Sequence, residues 1–174
     1  MNVLFRTQKR PGYRAQAMVE FALVMPVLAL ILFGVFEVGR MIYVYSAITN
    51  ASREAVRFGS AMGFDDDGFI KYKHCGLASV DPMKGIRGMA RRSAYFMNLL
   101  DANITIQYDH GPGTSVFHTC QGNVDPGYFI SPGDRVLVTV TGQYRPYTRL
   151  VPWGPRTFVS ASARTVLGFV ALTT

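Results

Sequence analysis

The chain has 174 residues, which is room for one domain of ordinary size and a membrane segment but not for two large domains. Its formal charge is +7 and its pI is about 9.7, but the basic residues are spread from Arg6 to Arg164. A nucleic-acid-binding protein typically gathers its positive charge into one patch, so we expect no nucleic-acid partner.

The first residues, MNVLFRTQKRPGYR, form a basic leader without any acidic residue. Its basic side chains are Arg6, Lys9, Arg10 and Arg14. Positive charge ahead of an apolar run holds that end of a chain in the cytoplasm. We therefore predict that the N-terminus lies inside the cell and that the segment after the apolar run crosses to the outside.

The apolar run from Phe21 to Phe36 carries no charge. Residues 21–40 are enough to cross a hydrocarbon core of about 30 Å at about 1.5 Å per residue. Pro26 lies inside this segment and removes one backbone hydrogen bond, which predicts a modest kink that a membrane helix tolerates. We expect Glu37 and Arg40, three residues apart, to lie at the outer membrane interface.

Two interfacial aromatic residues, Tyr43 and Tyr45, follow this pair and support a membrane span. A cleavable secretory signal is the competing interpretation, because it also joins a basic segment to an apolar run. Its best cleavage site is a weak one, after Ser46 and before Ala47.

Beyond the membrane the helical pattern continues, so one helix over residues 16–59 is the simplest prediction. Its apolar face contains six residues at helical spacing: Val44, Ala47, Ile48, Ala51, Ala55 and Phe58. Three of them, Ala47, Ala51 and Ala55, form a small-residue ridge that allows close approach of another helix. The partner of the ridge is either a neighbouring subunit or the chain's own outer domain.

After this helix the sequence GSAMGFDDDGF predicts a solvated turn, because its aspartates lack the alternating spacing of a calcium loop. Residues 84–100 predict a second amphipathic helix, capped by Asp81 and Pro82. For the basic stripe of this helix, a solvated face is favoured over a surface that contacts lipid headgroups, an acidic partner subunit or DNA outside the cell. The stripe consists of Lys84, Arg87, Arg91 and Arg92.

Alternating apolar and polar residues then predict an antiparallel sheet of three or four strands. The predicted strands are residues 104–108, 116–120, 136–144 and 157–167. The fold class is therefore α+β: a long N-terminal transmembrane helix that extends into a small exported domain, in which a second helix packs on the sheet.

The two cysteines, Cys75 and Cys120, fall in the segment predicted to be exported, so a disulfide is their favoured use. A zinc site with His74 and His118 is the weaker alternative, because adjacent side chains on an extended strand point to opposite faces. We therefore expect no metal. The sequence also contains no G-x-S-x-G, H-E-x-x-H or phosphate-binding glycine loop, so we expect neither an enzyme nor a cofactor.

Glu20 stands at the inner edge of the apolar run, where a carboxylate costs free energy unless it is paired or recognised. The simplest explanation is that Glu20 reaches back toward Arg14 at the interface. However, Gln16-Ala17-Met18-Val19-Glu20-Phe21 followed by an apolar run with a proline resembles a class III prepilin-like sequence.

More closely, residues 18–59, MVEFALVMPVLALILFGVFEVGRMIYVYSAITNASREAVRFG, resemble the TadE family of pseudopilin-like proteins from tight-adherence (Tad, Flp) pilus systems. The resemblance rests on VEFAL, the proline, the E-x-G-R of residues 37–40 and the helix end ASREAVRFG. VLVTVTGQYRPY and TFVSASARTV resemble the terminal strands of the family more loosely.

The resemblance implies cleavage by a prepilin peptidase between Ala15 and Gln16. Glu20, with Phe21 after it, would then be the recognised acid and could pair with the new amino terminus of a neighbour. Leaders of the family usually end in glycine, and Ala15 occupies that place here. An uncleaved, single-pass, membrane-anchored binding module is therefore the alternative.

The predicted organisation is a leader of residues 1–15, the helix of residues 16–59 and an exported domain of residues 60–174. The implied function is that of a minor pseudopilin or structural component in pilus biogenesis and bacterial adhesion. The implied partners are other pilins or pseudopilins, pilus assembly membrane proteins, the prepilin peptidase and the lipid bilayer. The implied location is the bacterial cytoplasmic membrane, with possible incorporation into a pilus.

Overall fold

The structure is a computed structural model, which describes residues 12–61, 85–120, 130, 133–147 and 154–166. The first element, α1, is a single helix over Gly12–Ala61 that continues through Pro26. Among the described residues, α1 is the one helix that is long and apolar enough to cross a membrane. No residue of its 18-residue apolar stretch is buried. The exposure of this stretch leaves its apolar side chains available to lipid.

The second helix, α2, spans Gly85–Ser93 and is followed by two short 3-10 turns, Tyr95–Met97 and Asp101–Asn103. The prediction of a helix over residues 84–100 was therefore too long. Asn98 adopts a left-handed conformation with a φ of 45°, which a continuous helix cannot contain. A continuous helix would place Phe96 and Leu100 on the same side as Ile86 and Ala90, but in the structure they are 84% and 63% exposed.

Four strands form one antiparallel sheet in the order β2-β1-β3-β4. They are β1 (Ile104–Asp109), β2 (Val116–Thr119), β3 (Arg135–Tyr144) and β4 (Arg156–Thr165). The apolar and polar residues of β3 alternate, so every second side chain faces the helices. The fold is thus α+β with a candidate membrane helix, as predicted.

The outer half of α1 covers one face of this sheet, α2 packs against α1, and residues of both helices belong to a single core with the sheet. Along β3 the core is lined by Val136, Val138 and Val140, all of them fully buried. They lie opposite Ile104, Ile106 and Tyr108 on the neighbouring strand. Burial of these apolar side chains on the face of the sheet toward the helices stabilises the outer domain.

The strand β3 runs antiparallel to α1. Near the outer end of the helix, Gly59 lies against Val136 at the start of the strand. Farther along β3, Gly142 lies against Ile48, and the hydroxyl of Tyr144 reaches Glu37. The C-terminal end of β3 therefore points toward the membrane segment of α1.

Candidate functional site at the junction of helix and sheet

Glu37 is the first charged residue after the apolar run, and it is only 2% exposed. Its carboxylate accepts hydrogen bonds from the Tyr144 hydroxyl, from the backbone N–H of Tyr147 at 2.8 Å and from Arg40 at 3.1 Å. A buried carboxylate needs this number of donors because its desolvation is costly. The bonds join α1 to the end of β3, more than 100 residues away in sequence.

Arg40, one turn after Glu37 on α1, also contacts the segment that follows β3. Its guanidinium donates to the Glu37 carboxylate and to the backbone carbonyl of Arg145. It also lies 4.6 Å from the ring centre of Tyr144 and 4.0 Å from that of Tyr147, which is cation–π geometry. Arg40 therefore fixes the segment that leaves β3 as well as the carboxylate. We name Glu37, Arg40, Tyr144 and Tyr147 the junction cluster.

The environment of Tyr144 keeps its phenol protonated, so that it can donate a hydrogen bond to Glu37. Burial, together with the adjacent Glu37 carboxylate, raises the pKa of Tyr144 above its ordinary value. The phenol therefore stays protonated and remains a donor throughout the physiological pH range. A charged acceptor makes this bond stronger than one between neutral groups.

Farther along α1 from the junction cluster, small residues allow the helix to lie close to β3 and β4. The Ser52 hydroxyl is buried and lies 3.0 Å from the Ser160 hydroxyl and 2.9 Å from that of Ser162. On β3, a Cβ at Gly142 would contact Ile48 and would come within 2.9 Å of Met97 Cε. Gly142 lies in the motif GQYRPY, and Ser160 and Ser162 lie in the motif FVSASARTV. The sequence alone gave no reason for small residues at these positions.

The small-residue ridge is used within the chain. Ala51 and Ala55 are fully buried and Ala47 is 9% exposed, and all three belong to the core of the outer domain. Of the two partners considered for the ridge, the structure places the chain's own domain there.

The residues assigned to cleavage and recognition lie together on the exposed, N-terminal part of α1. The side-chain amide of Gln16 donates to the Glu20 carboxylate at 3.2 Å, one helical turn away. Ala15 and Phe21 are exposed, and so is Pro26 farther along the helix. The described part of the outer domain covers none of these side chains.

Cys120 is buried, and its sulfur lies 3.8 Å from Nε2 of His118. Cys75, the predicted disulfide partner of Cys120, lies outside the described residues. His74, which the alternative zinc site also needs, lies outside them too. Within the part of the chain that the structure describes, no three His, Cys, Asp or Glu side chains could hold a metal ion together. The disulfide remains a prediction.

The prediction of a solvated basic stripe on the second helix was wrong for Arg87. Its side chain is 6% exposed and donates to the backbone carbonyls of Asp101 at 3.0 Å and Cys120 at 3.2 Å. Arg91 is also largely covered and pairs with the Asp101 carboxylate, whereas Arg92 is exposed. Burial lowers the pKa of Arg87, although the guanidinium stays charged. Arg87 and Arg91 therefore bind groups at the edge of the core. A helical wheel could not predict these contacts, because the partners lie after the helix in the sequence.

A second buried carboxylate, Asp109, lies at the end of the sheet away from the membrane segment. Arg135 donates to its two oxygens at 2.9 Å and 2.7 Å, and the backbone N–H of Gly111 donates to it at 3.1 Å. These bonds, with the Arg135 hydrogen bond as the largest cause, lower the pKa of Asp109. Each end of β3 is therefore closed by a carboxylate and an arginine.

The sequence predicted the Glu37–Arg40 pair but placed it at the membrane interface without a partner from the sheet. Its involvement with Tyr144 and Tyr147 was missed. The two motifs that meet in the cluster, E-x-G-R and QYRPY, are both visible in the sequence. A single sequence gives no sign that the two motifs contact each other.

Comparison with protein families gave a match to TadE-like protein over residues 15–57. This range contains the exposed N-terminal half of α1, Glu37, Arg40 and the alanine ridge. The comparisons with curated proteins and with solved structures found no match. Residues 15–57 are therefore a TadE-like segment, as the motifs predicted, and this family match supports a role of the chain in tight-adherence pili.

Proposed function

We propose that this chain is a minor pseudopilin or structural component of tight-adherence pilus biogenesis. The observation that carries the proposal is the division of α1 into two halves. One half is apolar, has none of its membrane-length window buried and carries Glu20, whereas the other half contributes to the core of the outer domain. Such a helix can lie in a bilayer first and contact neighbouring subunits later without disturbing the outer domain.

The proposal includes processing by a prepilin peptidase between Ala15 and Gln16. The bond lies close to the start of α1, and helix ends open more readily than helix centres. After cleavage the Glu20 carboxylate could pair with the new amino terminus of a neighbour, because two opposite charges are tolerated together where each alone is costly. The pair would set the register of neighbouring helices.

The test is co-expression with and without the prepilin peptidase, followed by mass spectrometry of the mature N-terminus. We expect Gln16 as the first residue only when the peptidase is present. Ala15→Gly, which restores the glycine typical of the family's leaders, should raise the cleaved fraction. An intact Met1 under all conditions would refute processing and favour the uncleaved membrane-anchored alternative.

The pairing role is tested separately. Glu20→Ala should abolish piliation, whereas Glu54→Ala, which removes a half-exposed carboxylate paired with Arg57 on the same helix, should leave it intact. Normal piliation in the Glu20→Ala variant would contradict the pairing role. Loss in both variants would show that α1 simply does not tolerate the loss of a charge.

A further inference from the structure

The end of the sheet nearest the membrane segment carries two exposed arginines and an exposed tyrosine. Arg145 and Tyr147 directly follow β3, and Arg156 begins β4. All three are exposed, with Tyr147 at 79%. We name these three residues the basic collar.

The basic collar lies at the depth of the lipid headgroups if the apolar half of α1 spans a bilayer. Arg156 pairs with Tyr144 across the sheet, and Tyr144 and Tyr147 both bind Glu37. Glu37 directly follows the last residue of the uncharged run. The headgroup layer adds about 5 Å or slightly more on each side of the hydrocarbon core, which an arginine side chain beside Glu37 can reach.

The positive charge of the basic collar is not neutralised within the described part of the protein. Arg145 binds the neutral side chain of Gln143 at 3.3 Å. Neither Arg145 nor Arg156 forms an ion pair with a carboxylate of a described residue. The nearby carboxylate, Glu37, is already paired with Arg40. The basic collar therefore presents two positive charges to the membrane surface.

We propose that the basic collar binds the phosphate groups of anionic phospholipids and so orients the outer domain on the bilayer. Guanidinium groups match phosphate oxygens with two hydrogen bonds, and aromatic rings such as that of Tyr147 favour the same layer. This binding goes beyond the proposed role in pili and depends only on the apolar half of α1 lying in a membrane.

The test uses the full chain with Tyr147→p-benzoylphenylalanine as a photo-cross-linker at the basic collar. The protein is reconstituted into bilayers with equal amounts of phosphatidylglycerol and phosphatidylcholine, and the cross-linked lipids are identified by mass spectrometry. The basic leader lies at the other end of the membrane span, so it does not contribute at this position. One arginine at an anionic surface favours the anionic lipid about fivefold, so we expect a ratio of at least about five.

In this background, Arg145→Gln with Arg156→Gln should lower the ratio to near one while cross-linking to phosphatidylcholine persists. The matched control is Arg164→Gln. It removes an exposed arginine of β4 that lies about 26 Å along the strand from Arg156, on the side away from the membrane. It should leave the ratio unchanged. A ratio near one before substitution, an equal loss in the control, or cross-links to a protein in place of lipid in native membranes would overturn the proposal.

Discussion

The junction cluster allows a sharp test, because one hydroxyl group can be removed from it without loss of packing. Tyr144→Phe keeps the ring, which is 4% exposed, and deletes the donor to Glu37. A hydrogen bond to a charged acceptor contributes about 1.5–3 kcal/mol. Arg40 and the Tyr147 backbone N–H still bind the carboxylate, so we expect the lower part of this range, about 1.5–2 kcal/mol.

The measurement is urea unfolding of the outer domain in a mild detergent, followed by near-ultraviolet circular dichroism. The matched control is Tyr147→Phe, since this neighbouring tyrosine is 79% exposed and binds Glu37 through its backbone. The control should change the free energy of unfolding by less than about 0.5 kcal/mol. If both variants unfold like the wild type, the junction cluster does not hold the domain to the helix.

Three further predictions concern other contacts of the domain. Gly142→Ala places a methyl group against the side chains of α1 and should lower the free energy of unfolding by about 1–3 kcal/mol in the same assay. Arg87→Met leaves the buried carbonyl of Cys120 and the partly buried carbonyl of Asp101 without their donor and should cost about 2–4 kcal/mol, whereas Arg92→Met at an exposed position should cost less than about 0.5 kcal/mol. Because the folded protein lowers the pKa of Asp109 below 3.8, its pairing with Arg135 stabilises the domain above that pH and is lost as the pH falls through the lowered pKa. The stability difference between wild type and Asp109→Asn should therefore be full at pH 6 and narrow below pH 4, and a constant difference would contradict the assignment.

Periodicity in the sequence predicted the faces that stay buried over several successive turns or residue pairs of one element. The apolar face of α1 and the alternation of Val136, Val138 and Val140 each describe one side of one element, and the structure buries both. The sequence could not show where the second helix ends. The helix ends at Ser93, and the left-handed backbone of Asn98 excludes a continuous helix to residue 100, while the apolar residues continue at the same spacing.

The candidate site was harder to predict because its residues come from distant parts of the chain. Glu37 and Arg40 are neighbours on one helix, and their pairing follows from their spacing. The approach of Tyr144 depends on how the sheet packs on that helix, which no local pattern describes. Arg87 shows the same limit, because its acceptors are backbone carbonyls and a sequence does not reveal their positions.

The continuity of α1 has a mechanical consequence. The same helix is the candidate membrane span and the central element of the outer domain, and no loop separates the two. A rotation of the span about its own axis therefore turns the sheet through the same angle, and a pull on the sheet is transmitted along the helix as an axial force. A contact that fixes the rotation of the apolar half would thus also fix the direction in which the outer domain faces.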